Sequence, residues 1–161
     1  MENKAVSDTG PLLHLSEIHF SKALSIFSSL LVPQEVAFEL KKAKVPITKK
    51  IRVINLHAQS KDTTKLLTNQ HGLDMGEAEA IALALQEKIS IFLTDDLDAR
   101  QVAKIFHLEV HGTIGIILRA YREKIIDKKS ALEATHTLKT ASSLFITQDL
   151  INEVLRAIED F

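Results

Sequence analysis

The sequence predicts a single α/β domain over residues 1–161, with a central parallel sheet covered by helices on both faces. Three observations predict it. Short β-branched or apolar runs alternate with helical patterns along much of the chain, as strand–helix–strand crossovers require. One of those runs, ISIFLT (89–94), is apolar without alternation, as in a strand buried on both faces. The chain is 45% hydrophobic and 25% charged, with no internal repeat, low-complexity segment or linker to divide it.

Taken in order, residues 4–7 read as a short strand closed by Gly10-Pro11. PLLHLSEIHFSKALSIF then carries Leu12, Leu15, Ile18, Leu24 and Phe27 at helical spacing, and breaks into two short helices near Ser21. SSLLVP holds a brief strand. Pro33 fits the first turn of a helix that Val36, Leu40 and Ala43 continue and Pro46 ends. IRVINL (51–56) is rich in β-branched residues and reads as a strand. The polar stretch that follows holds a helix over 59–69 ending at Gly72.

GEAEAIALALQEK (76–88) is the clearest helix of the chain. Ala78, Ile81, Ala82 and Leu85 form its apolar stripe, and glutamates load its first turn, where the helix dipole favours them. After the strand at 89–94, DLDARQVAKIF is a helix with Val102, Ala103 and Phe106 inward. LEVHG is another short strand, and helices follow at 113–124, 129–141 and 147–159.

Composition excludes several functions. The formal net charge is -1, so no global field draws the chain to nucleic acid or a membrane, and any nucleic-acid contact comes from a local patch. The absence of cysteine excludes disulfide scaffolds, zinc–thiolate sites and cysteine nucleophiles. MENKAVSDTG lacks the apolar core of a signal peptide, and no apolar run approaches the roughly 18 residues of a membrane span. The expectation is a soluble, cytoplasmic protein.

Asp8-Thr9-Gly10 is the tripeptide that carries the catalytic aspartate of aspartic proteases, but those proteases are β-dominated, and here the tripeptide runs into a helix. In an open α/β sheet, ligands bind outside the carboxyl ends of the strands. Asp8 sits at one such end, and Asp95 and Asp96 sit at another. Glu77 opens the helix leading into that second strand, and Glu39 lies in the helix begun at Pro33. Crowded carboxylates raise one another's pKa, and a divalent cation removes that penalty. Mg²⁺ and Mn²⁺ prefer such hard oxygen ligands. The pattern points to metal-assisted phosphodiester hydrolysis. Each acid also has a purely structural reading: Glu77 and Glu79 favour a helix dipole, Asp96 caps a helix, Asp8 makes an Asx-turn, and Glu39 is a solvated helix residue. The functional reading rests on their joint placement.

Four blocks, VSDTGPLLHLSEI, LVPQEVAFEL, LDMGEAEAIALAL and IFLTDDLDARQVAKIFHLEVHGTIGIILRA, resemble the PIN-domain superfamily, in the branch with GEAEAIALA and DDxxAR signatures. The resemblance covers residues 5 to 122, with a weaker echo in the last helix. It implies a three-layer α/β/α sandwich with a central parallel sheet, and a Mg²⁺- or Mn²⁺-dependent ribonuclease, often the toxin of a toxin–antitoxin pair and a homodimer held by a small antitoxin protein. The family's acids fall on Asp8, Glu39, Glu77 and Asp96, with Asp95 beside the last. Thr9 matches the small hydroxyl residue after the first aspartate, Thr94 stands two residues before Asp96, and Arg100 matches the arginine of DDxxAR. In one departure, common PIN nucleases carry an aspartate where this chain has Ala78, so the third acid is Glu77 or Glu79. The alternative is a catalytically weak module of the same fold that binds nucleic acid or a protein partner.

Other signals are weaker. KKAKVPITKKIR (41–52) has six basic residues and no acid, and reads as solvated surface or as a phosphate contact. Arg100 and Lys104, one turn apart, are candidates to steady a phosphate, with a salt bridge as the bland reading. His107 and His111 do not share a helix face, which speaks against zinc. The apolar residues of the last 32 positions, from Leu144 and Phe145 to Leu155, either pack on the sheet or mark an interface.

Overall fold

The computed structural model describes residues 3–161. Five strands form one sheet in the order β3-β2-β1-β4-β5, and every neighbouring pair is parallel. The strands are β1 (Lys4–Ser7), β2 (Ser29–Val32), β3 (Ile51–Val53), β4 (Ile91–Leu93) and β5 (Glu109–His111). The helices are α1 (Thr9–Glu17), α2 (Gln34–Lys42), α3 (Ala58–His71), α4 (Met75–Gln86), α5 (Leu97–Ile105), α6 (Thr113–Arg122), α7 (Lys128–Ala141) and α8 (Gln148–Asp160), with a 3₁₀ turn at Ser21–Ile26.

Successive strand residues point to opposite faces. Val6, Leu31 and Phe92 pack with Leu67 of α3, Ile81 and Leu83 of α4, and Val102 of α5. Ala5, Leu30, Val32 and Leu93 pack on the other face with residues of α1, α2, α6, α7 and α8. Two cores on one sheet make the three-layer α/β/α sandwich, and double burial explains why the central strands show no polar alternation.

The chain runs outward from β1 through β2 to β3, then crosses back to β4 and β5 on the other side. The strand order therefore reverses between β1 and β4, which is where an open sheet of this kind leaves a crevice at its carboxyl edge. The main chain pins that edge: Asp8 N donates to Leu93 O (2.9 Å), and Thr94 N donates to His111 O (3.0 Å).

Several expected boundaries move. Pro33 precedes α2 as its N-cap, in extended conformation, and the helix ends at Lys42, before Ala43 and well before Pro46. The second half of PLLHLSEIHFSKALSIF is the 3₁₀ turn and not a second α-helix. β3 stops at Val53, an edge strand whose Arg52 and Val53 face solvent. On α4, Leu85 is 37% exposed while the residues from Gly76 to Ala84, except Glu79, are buried, because α3, the sheet, α2 and α5 surround the helix. Small residues on several sides serve that placement better than a single apolar stripe.

Of the apolar C-terminal residues, Ile146, Ile151, Val154 and Ile158 are buried against the rest of the fold. Phe145 and Leu150 remain exposed. Among the described residues, no helix is long and apolar enough to cross a membrane.

Candidate active site

A cleft of about 330 Å³ opens at the β1–β4 crevice. Asp8, Glu39, Glu77, Asp95 and Asp96 all line it, together with Asp74, which the sequence reading missed. No lysine or arginine is among its lining residues. Hollows of about 460 and 550 Å³ lie elsewhere, so charge and not size distinguishes this one.

Helix N-termini supply most of the geometry. Asp8 caps α1, accepting from Thr9 N (2.8 Å). Asp96 caps α5, accepting from Ala99 N (2.8 Å). Asp74 caps α4 in a reciprocal box: Glu77 N donates to Asp74 Oδ1 (2.9 Å), and Asp74 N donates to Glu77 Oε1 (3.1 Å). Asp95 takes the start of α6, accepting from Thr113 N (2.7 Å) and Thr113 Oγ1 (2.5 Å). The capping reading of Asp96 is therefore correct, while Asp8, expected to make an Asx-turn, caps α1 instead; both caps coexist with convergence on one cleft. Four positive helix ends around the acids offset part of their repulsion.

Two threonines set the spacing. Thr94, fully buried, donates to Asp8 Oδ2 (3.1 Å) and accepts from Asp96 N (3.2 Å), so it ties the two strand-end acids together. Thr9 Oγ1 donates to Glu39 Oε2 (2.8 Å) and draws α2 to the cleft. A methyl group added at Gly76 would overlap Glu39 Oε1, so this glycine lets the Glu39 carboxylate lie against the first turn of α4.

The electrostatics follow from burial. Asp8 is 8% exposed, and burial pushes its pKa up to about 7. Its bonds from Thr9 and Thr94 pull the other way, while the charges of Asp74 and Glu39 add to the rise. Glu77 is raised further, to about 9, by burial first and then by the Asp96 and Asp74 carboxyls, which favour its protonated form. Burial also raises Glu39, against the bond from Thr9. Asp95 is the exception. Burial works to raise it, but His14 (Nδ1 to Oδ2, 2.7 Å) and the two Thr113 donors outweigh that and hold it below the usual range.

The remaining candidates fall outside the acid cluster. Glu79 accepts from Glu35 N (3.2 Å) and lines a different hollow from Glu77. Arg100 packs behind the cleft, its Nε donating to Thr94 O (3.3 Å), and its guanidinium fills the space that a side chain at Gly112 would occupy. Lys104 is exposed near the far end of α5, roughly 12 Å along the axis from Asp96. Thr94 is buried beneath the acids and does not line the cleft. The basic run 41–52 joins the end of α2 to the start of β3, at the sheet edge opposite the cleft. His111 bonds Glu109 (2.9 Å), and among the described residues no histidine group forms a metal cluster.

Of the residues that the sequence reading missed, Asp74 carried a legible signal, since Asp74-Met75-Gly76-Glu77 has the spacing of a capping box. His14, the Ser143–Phe145 loop and Thr113 carried none, because tertiary packing alone brings the first two to the rim and Thr113, buried, to Asp95.

A divalent metal is tested by the donor set. Six carboxylates on one cleft, three of them raised by burial and crowding, offer hard oxygens and a charge imbalance that a cation relieves. The acids fit Mg²⁺ or Mn²⁺ in donor chemistry and share one cleft. Among the described residues, however, no three acids or histidines are grouped closely enough to hold an ion as they stand.

A family model of the PIN domain matches residues 4–160. No curated protein and no solved structure matches the chain.

Proposed function

The chain belongs to the PIN-domain family, whose fold is a nuclease fold, and on that premise we propose that it is a metal-dependent ribonuclease of the toxin–antitoxin type, working in the cytoplasm. One observation carries the reading: acids distant in sequence share a cleft at the switch point of the sheet, with no lysine or arginine among its lining. Asp8, Glu39, Glu77 and Asp96 would hold Mg²⁺ or Mn²⁺, with Asp74 alongside. The bound ion would supply charge neutralisation at the phosphodiester. The chain's own part is positioning. Thr94 fixes Asp8 relative to Asp96, Thr9 holds Glu39, and the Asp95–His14–Thr113 network anchors the loop between β4 and α5. The N-termini of α1, α4, α5 and α6 favour an anionic substrate above them.

A second reading keeps the fold and RNA binding but little catalysis. The absence of a ready-grouped ligand set among the described residues and the alanine at position 78 favour it. End-labelled single-stranded RNA incubated with Mn²⁺ or with EDTA separates the two. Cleavage in Mn²⁺ alone, lowered about 100-fold by Asp8→Asn, is expected of the nuclease. RNA bound but uncut supports the second reading.

A partner also belongs to the proposal. Phe145, 89% exposed, stands at the lip of the cleft, with Leu150 half-exposed nearby in sequence. Exposed apolar groups there suit a second copy or a small antitoxin protein covering the cleft. Light scattering on wild type and Phe145→Ser tests the homodimer, with dissociation expected in the variant.

A further inference from the structure

The hollow of about 550 Å³ lies at the same carboxyl edge of the sheet as the acid cleft, beyond β2 and β3. Consecutive residues at the start of α4 line the two, Asp74 the cleft and Met75 this hollow. Its chemistry is different. Lys61 and Lys65, one turn apart on α3, are both exposed on its wall. Glu79 is its one acid, and that carboxylate is turned to the Glu35 amide. Leu56 and Met75 give it an apolar side, with Met75 47% exposed.

The remaining lining carries a recognition pattern. Gln34 Nε2 donates to Asn55 Oδ1 (2.7 Å), which leaves Gln34 Oε1 as an acceptor and Asn55 Nδ2 as a donor without partners among the described residues. Exchanging both amide orientations still leaves one donor and one acceptor. An adjacent acceptor and donor suits a nucleobase edge, and Asn and Gln amides are the side chains that pair with adenine, whose amino donor stands beside a ring-nitrogen acceptor.

We propose that this hollow is a nucleotide subsite, taking an adenine-type base and its phosphate from the stretch of single-stranded RNA that flanks the cleft. The amides of Gln34 and Asn55 read the base edge, Met75 and Leu56 contact the base face, and Lys61 and Lys65 hold the phosphate as point charges. The inference rests on the ribonuclease reading for its class of ligand, but none of these residues belongs to the acid cleft. It also supplies the local basic patch that a chain of net charge -1 needs beside an acidic site.

Fluorescence anisotropy with labelled A8 and U8 RNA in EDTA, where no metal-dependent cleavage occurs, tests the subsite. Wild type is expected to bind A8 more tightly than U8. Lys61→Ala/Lys65→Ala should weaken binding of both about tenfold and flatten the dependence of log affinity on log salt by about 1.4. Gln34→Ala should erase the preference for A8 while leaving the salt slope unchanged. Melting curves check that each variant is folded, as expected for exposed positions. Double-lysine and Gln34 variants that bind both RNAs as wild type does would overturn the subsite, and if wild type still cuts RNA in Mn²⁺ the ribonuclease reading survives. The expected binding pattern without any cleavage leaves the subsite standing and removes the ribonuclease. Wild type that binds neither RNA in EDTA overturns the subsite, and no cleavage in Mn²⁺ as well overturns both.

Discussion

Asp8 and Glu77 carry the charge problem of the cleft. Both hold a proton more tightly in the folded chain than in the unfolded one, at about 7 and about 9. The stability linked to them is complete below the unfolded carboxylate range, near pH 4, and is lost as pH rises through those values. The metal-free protein should therefore lose stability between about pH 4 and pH 9 through these groups. Asp8→Asn removes one such group. It is expected to stabilise the metal-free chain by about 4 kcal/mol at pH 8 relative to its effect at pH 4, read from urea melts at both. An equal effect at the two pH values would mean that Asp8 is not held in this way. Position 77 yields a second prediction. Glu77 lines the acid cleft and Glu79 a different hollow, so Glu77→Gln should cut RNA cleavage about 100-fold and Glu79→Gln less than about threefold. The opposite order would reassign the third acid.

At the scale of elements, the helices were legible from apolar spacing, and their ends were not. The reason is the same at five of them. His19, Lys44, Lys88, His107 and Lys124 all adopt positive φ after a helix, where the sequence reading looks for glycine. Each is followed by an apolar residue whose N–H reaches five residues back: Phe20 to Leu15, Val45 to Leu40, Ile89 to Ala84, Leu108 to Ala103 and Ile125 to Ala120. These are Schellman endings built without glycine, and only at Gly72 did the usual signal mark a boundary. The left-handed conformation is unfavourable for a side-chain-bearing residue, so Lys44→Gly should raise stability by about 0.5–1 kcal/mol. Lys42→Gly, two residues earlier and inside α2, should lower it by about 1 kcal/mol. Chemical denaturation of both variants checks the pair. A loss in both would show that Lys44 is not strained.

At the scale of the whole molecule, alternation of strands and helices was enough to expect a parallel sheet, but not to order it. That β1 lies between β2 and β4 is a consequence of packing, and it is this order that brings Asp8 beside Asp96. Asp8, Glu39, Glu77 and Asp96 were legible because strand ends and helix starts are visible locally, and the carboxyl-edge rule gathers them without knowledge of the order. Arg100 and Lys104 were chosen by spacing on α5, yet one lies behind the cleft and the other at the far end of the helix, because spacing along a helix does not say which end meets the site. The central claim is that the acids of this cleft form a divalent-metal site. Crystals soaked in Mn²⁺ and measured at the manganese absorption edge test it most directly. The account predicts an anomalous peak within coordination distance of Asp8 and Asp96, absent from Asp8→Asn crystals. A peak elsewhere, or none at saturating Mn²⁺, would contradict it.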